Sequence, residues 1–172
     1  VNSSEPFQPA DIDTAKRAYQ PATLKEIKMS DDIVEELNDV IAVLKGGAIF
    51  YRDAAKQVTD PVLVELFRTN ADKRDQAVAD LSAHVRSHGE TPSEGSWAEA
   101  AYSWYTSALG TFGDKEATLV AQLEEHEDRT LEELHDAIED IPAGTPAHTS
   151  IMAHLKTFKD THDQMRAMKK AA

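Results

Sequence analysis

Apolar residues recur along this chain at steps of three and four, the spacing that places them on one face of a helix. Four segments carry such a stripe. The first, 31–58, has Ile33, Leu37, Val40, Leu44, Tyr51, Ala55 and Val58. The second, 61–88, has Leu63, Phe67, Ala77 and Leu81. The third, 114–141, has Val120, Leu123, Leu134 and Ile141, and the fourth, 146–168, has Ile151, Leu155, Phe158 and Met165. No segment alternates with the period of two that a half-buried strand requires. The pattern therefore predicts an all-α protein, a bundle of four long amphipathic helices.

The boundaries have their own chemistry. Ser30 followed by Asp31 and Asp32 reads as an N-cap with acids at the positive end of the helix dipole. Asp60-Pro61 predicts a tight turn with proline at the first helical position, so the first two helices form an antiparallel hairpin. Gly89 is placed to end the second helix. Thr145 and Pro146 are placed as cap and first residue of the fourth. Residues 1–30, interrupted by Pro6, Pro9 and Pro21, read as an N-terminal arm, with Thr23-Leu-Lys-Glu26 as a capping box for one short turn. Ser96-Trp-Ala-Glu99 is a second capping box, and it opens a helical crossover, 97–109, that carries Trp97 and Trp104. Domain organisation is thus an arm, 1–30, and one bundle, 31–172.

Three stripes are interrupted by a residue that does not belong on a buried face. Arg74 lies among Leu63, Phe67, Asn70, Ala77 and Leu81; Glu127 lies among Leu123, Thr130 and Leu134; His162 lies between Phe158 and Met165. The helical rise puts all three roughly 21–23 Å from the helix ends nearest Gly89 and Pro142, with Gly47 at a similar height on the first helix. A bare charge in low dielectric is too costly to keep, so these groups must meet one another or a metal. Expected first is a buried ion pair in which Arg74 supplies a bidentate partner for Glu127. His162 hydrogen-bonds to one of the two, and Tyr51 and Asn70 satisfy what remains. Gly46-Gly47, in the middle of the first helix, predicts a kink or the close approach of another group, here room for a long side chain. The alternative is a metal held by Glu124, Glu127 and His162.

Other pairings are weaker. Glu132 and His135 have the Glu-x-x-His spacing, but Glu132 is off the stripe and reads as solvated. Asp80 and His84, one turn apart, read as an ordinary surface hydrogen bond. Glu125 and Asp128 are expected to face water, with Glu124 bordering the core. There is no cysteine, no Gly-x-Ser-x-Gly turn and no glycine-rich phosphate loop, so nothing points to nucleophilic catalysis. The net charge of -13 argues against nucleic acid and anionic membrane as partners. No apolar run reaches the length of a membrane span. The cytoplasm is the expected compartment, with a removed leader before Val1 as the alternative.

Leu37-Asn-Asp39, Gly47, Tyr51, Ala54-Ala55, Asp60-Pro61, Leu63, Phe67, Arg74, Glu124, Glu127-Asp128 and His162-Asp163 occur in this order across the four helices. In that order and spacing the chain resembles the ferritin-like superfamily, and within it a small bacterial family of four-helix bundles without an assigned activity. The resemblance covers about residues 31–170. It implies a ferritin-like bundle with a crossover between the second and third helices, a bacterial source and an unassigned, stress-related role. Ferritin-like enzymes hold two metals with a Glu on each of two helices and a Glu-x-x-His on each of the others. Here the first helix reads Gly46-Gly47-Ala48-Ile49, the second puts Arg74 on its stripe, and Lys159 stands three residues before His162. The resemblance therefore implies a bundle whose di-metal centre has become a polar layer. Such a bundle has no cofactor and no enzymatic activity, and it acts as a homo-oligomer or with a protein partner. The alternative is an iron- or manganese-binding protein with ferroxidase-type activity.

Overall fold

The structure is a computed structural model that describes residues 24–94 and 115–171. Four helices follow in order: α1, Leu24–Ala55; α2, Pro61–Ser87; α3, Lys115–Asp140; and α4, Pro146–Ala171. The described residues contain no strand. The all-α four-helix expectation holds. The crossover helix 97–109, both tryptophans and residues 1–23 of the arm lie outside the described residues.

α1 starts earlier than its pattern suggested. It runs unbroken through Ser30, which is not its cap; the Ser30 hydroxyl instead hydrogen-bonds His88 Nδ1 at 2.8 Å. Nothing between Leu24 and Ser30 breaks a helix, and Asp31 and Asp32 are exposed, so polar residues there cost the helix little. The start coincides with the Thr23–Glu26 capping box, and residues 24–30, expected in the arm, are helical. Gly46 and Gly47 do not interrupt α1 either.

The boundaries marked by proline and glycine fall where the sequence puts them, whereas α1 stops at Ala55 rather than 58 and α4 runs on to Ala171 rather than 168. Asp60 caps α2 by accepting from the Val62 backbone N–H at 2.8 Å, with Pro61 at the first helical position. At the other end Gly89 adopts φ +84°. The Glu90 N–H donates to Val85 carbonyl and the Gly89 N–H to Arg86 carbonyl, the paired bonds of a Schellman stop. Thr145 caps α4 through the His148 N–H at 3.2 Å.

α1 packs on α2 and α3, and α4 packs on α3 and α2, so α2 and α3 face each other diagonally across the bundle. The backbone N–H groups of Thr59 and Asp60 donate to Glu116, which places the end of α1 beside the start of α3. α1 and α3 are thus antiparallel. α2 ends at the opposite end of the bundle, beside Ser30, so the chain leaves α2 at one end and enters α3 at the other. Ser93 is already turned back along α1, bonded to Asn38 and Lys45.

The apolar core falls into two clusters. One holds Leu37, Leu44, Leu81, Val85, Leu134, Ile141 and Ile151; the other holds Tyr51, Phe67, Leu119, Leu123 and Met165. Between them lies the polar layer that carries Arg74 and Glu127.

Candidate functional site

Arg74 and Glu127 are both fully buried. Arg74 Nη2 donates to Glu127 Oε1 at 2.7 Å, across the diagonal from α2 to α3. Glu127 is the acceptor on which the layer converges. Oε1 also receives the Tyr51 hydroxyl from α1. Oε2 lies 3.1 Å from Thr161 Oγ1 on α4, whose single proton is shared with the Phe158 carbonyl at 2.9 Å. One side chain from each helix thus meets at a single carboxylate.

The Arg74 head group is held on several sides. Nη1 donates to the Asn70 carbonyl at 3.2 Å, so the contact with Glu127 is single rather than the expected bidentate fork. The guanidinium carbon sits 4.5 Å from the Tyr51 ring centre and 5.1 Å from that of Phe158, within cation–π range of both. Its Nε turns to α1, where it has no hydrogen-bond partner among the described residues. A Cβ on Gly47 would stand 2.6 Å from that Nε, 3.0 Å from Cδ and 3.1 Å from His126 Cε1. Gly47 is therefore glycine because the arginine passes against its backbone. Of the two readings of the glycine pair, close approach holds at Gly47.

Electrostatics follow from burial. The Tyr51 hydroxyl is raised well above its usual range, first by desolvation and then by the Glu127 charge, so it remains a donor. His126, on α3 beside the pair, is pushed down to about 4, first by burial and then by the Arg74 charge. Its ring packs 6.0 Å from that of Phe50, and Thr130 Oγ1 lies 3.3 Å from Nδ1.

His162 does not join the pair. Its Nε2 lies 2.9 Å from Asp128 Oδ1 and its Nδ1 3.1 Å from Asp163 Oδ1. Thr161, one residue earlier, takes the place expected for it. Both positions are three or four residues from Phe158 and Met165, and the hundred-degree turn between them sends one inward and the other to the α3–α4 seam. The metal set Glu124, Glu127 and His162 is also rearranged. Glu127 is occupied by the layer, and the carboxylate beside Glu124 and His162 is that of Asp128. Glu124 itself meets Lys169 Nζ at 2.6 Å. Glu132 and His135 are exposed, as expected. Asp80 pairs not with His84 but across helices with His154, at 3.5 Å.

Sequence reasoning passed over Thr161 and His126. Thr161 is a bland hydroxyl next to a more conspicuous imidazole. His126 was detectable: Leu119, Leu123, His126, Thr130, Leu134, Ala137 and Ile141 recur at steps of three and four.

Residues 32–140 match a domain family described as a domain of unknown function, DUF2383. The match takes in α1 from Asp32 onward, α2 and α3, and with them Tyr51, Arg74 and Glu127; Thr161 and His162 lie beyond it. A search of curated proteins finds no match.

Proposed function

The chain belongs to the DUF2383 family, and from that premise we propose that it is a non-enzymatic bundle of the ferritin-like kind, acting through association with itself or a protein partner. In this reading the Arg74–Glu127 layer stands where a di-metal centre would be. The observation that carries it is the occupation of Glu127. Both of its oxygens already accept donors, and a fixed guanidinium stands 2.7 Å from one of them. A cation placed there would displace an arginine that has no exit to water. The single long link between α2 and α3 supports the ferritin-like assignment, because such folds carry one crossover. A ferroxidase-type reading built on Glu124, Glu127 and His162 loses its central ligand to the layer.

The buried pair need not add net stability, since desolvation offsets much of the attraction; its role in this reading is to penalise helices that slip out of register. Two measurements test the proposal. The full chain, purified without chelator, is expected to hold no iron or manganese that Glu127→Ala removes; stoichiometric metal lost in that variant would overturn it. Sedimentation of the chain with and without residues 1–30 reads association directly. A monomer in both, with no partner captured by crosslinking in cells, would refute the associative role.

A further inference from the structure

At the seam between α3 and α4, outside the central layer, Glu124, Asp128 and His162 each bring one ligand atom within 4.8 Å of the other two. Glu124 and Asp128 are one turn apart on α3, and His162 reaches over from α4. Glu124 and His162 are buried, while Asp128 opens the cluster to solvent. Two carboxylates and an imidazole in this arrangement are an oxygen-and-nitrogen donor set with a path to water.

Two contacts separate this group from an ordinary patch of surface acids. His162 Nδ1 lies 3.1 Å from Asp163 Oδ1. In the tautomer that donates Nδ1–H to this carboxylate, Nε2 is unprotonated and free to serve as a ligand, with Asp128 Oδ1 2.9 Å away as a neighbouring donor atom. A carboxylate behind the imidazole is how metal-bound histidines are oriented and made more basic. On the other side Lys169 Nζ stands 2.6 Å from Glu124 Oε2, a positive charge beside the donors. Its side chain is 46% exposed and can swing away.

We propose that Glu124, Asp128 and His162 form a mononuclear site for a divalent first-row transition ion, with water filling the open positions. The imidazole favours such an ion over magnesium or calcium, and the two carboxylates favour it over a soft monovalent ion. The site is distinct from a di-metal centre in the core, because its ligands come from two adjacent helices and Glu127 is not among them. It does not depend on the role given to the Arg74–Glu127 layer.

The test is titration of the full chain with Co²⁺, followed by visible absorption. Saturation at one equivalent is expected, with ligand-field bands. Asp128→Asn and His162→Gln are expected to weaken binding at least tenfold. Asp163→Asn, which touches only the orienting carboxylate, is expected to weaken it roughly 10–100-fold. Lys169→Met removes the competing charge and is expected to tighten binding up to about fivefold, a gain that misfolding cannot produce. His135→Gln is the control and changes nothing. No saturable binding, binding unaltered in His162→Gln, or weaker binding in Lys169→Met would each overturn the proposal.

Discussion

Replacing Arg74 with Met tests the central layer most directly. The substitution keeps much of the side-chain volume, so cavity formation is a minor part of its effect. It removes the donor to Glu127 Oε1, the bond to the Asn70 carbonyl and the cation between the Tyr51 and Phe158 rings. Glu127 is left with the Tyr51 hydroxyl and a shared Thr161 proton, fully buried and without a countercharge. Breaking one side of a buried pair costs about 3–5 kcal/mol. The two surviving donors place this case at the lower end, about 3 kcal/mol. Urea unfolding of wild type and variant at about pH 8 supplies the number. The deficit should narrow at about pH 5, because a stranded carboxylate has its folded pKa raised, and such a group gains stability as pH falls. Loss of the Arg74 charge also eases the penalty on His126, which narrows the gap in the same direction. The double variant Arg74→Met/Glu127→Leu should recover most of the loss, since a buried pair is often replaceable by apolar residues. A loss below about 1 kcal/mol in the single variant, or a double variant as unstable as the sum of both singles, would refute the reasoning.

Gly47→Ala sets a helix-propensity gain of about 1 kcal/mol against a Cβ 2.6 Å from Arg74 Nε. Arg74 is pinned at both terminal nitrogens of its head group, so the clash wins, with a net loss of about 1–2 kcal/mol in denaturant unfolding. Tyr51→Phe removes one charge-assisted donor to Glu127 and should cost about 1.5–3 kcal/mol by the same assay. His126, with an ordinary pKa of 6.5 in the unfolded chain and about 4 when folded, refuses a proton that the unfolded chain accepts. Its contribution is full above about pH 6.5 and is lost as pH falls toward about 4, up to about 3 kcal/mol. His126→Leu should remove this part of the acid dependence, which is read as the difference from wild type at each pH.

The helices and the ion pair were legible because their signals are local and one-dimensional. A stripe records which residues face inward, and a charge on a stripe must be answered by another group. Arg74, Glu127 and Gly47 were visible on that ground, and Gly47 turned out to be the surface against which the arginine lies. What stripes omit is the rotation of one helix against its neighbour. Thr161 and His162 fit the α4 stripe equally well, and only packing against α3 decides between them. The same rotation carries Asp128 to His162, so a residue that reads as solvent-facing becomes part of the only three-residue metal-ligand cluster among the described residues. The start of α1 was misplaced for another reason. Ser30 is a good cap in isolation, but helices end where the chain cannot continue, and nothing stops α1 there.

The diagonal placement of Arg74 and Glu127 divides the molecule into two halves of opposite need. The α1–α2 hairpin owns a cation it cannot neutralise, and the α3–α4 hairpin owns the anion. Until the halves meet, each ion is better left hydrated, which makes expulsion of water from the bundle centre a late step in assembly. Stopped-flow kinetics should show this as a faster unfolding limb in Arg74→Met, with the refolding limb nearly unmoved. Equal slowing of refolding would mean that the two ions meet early.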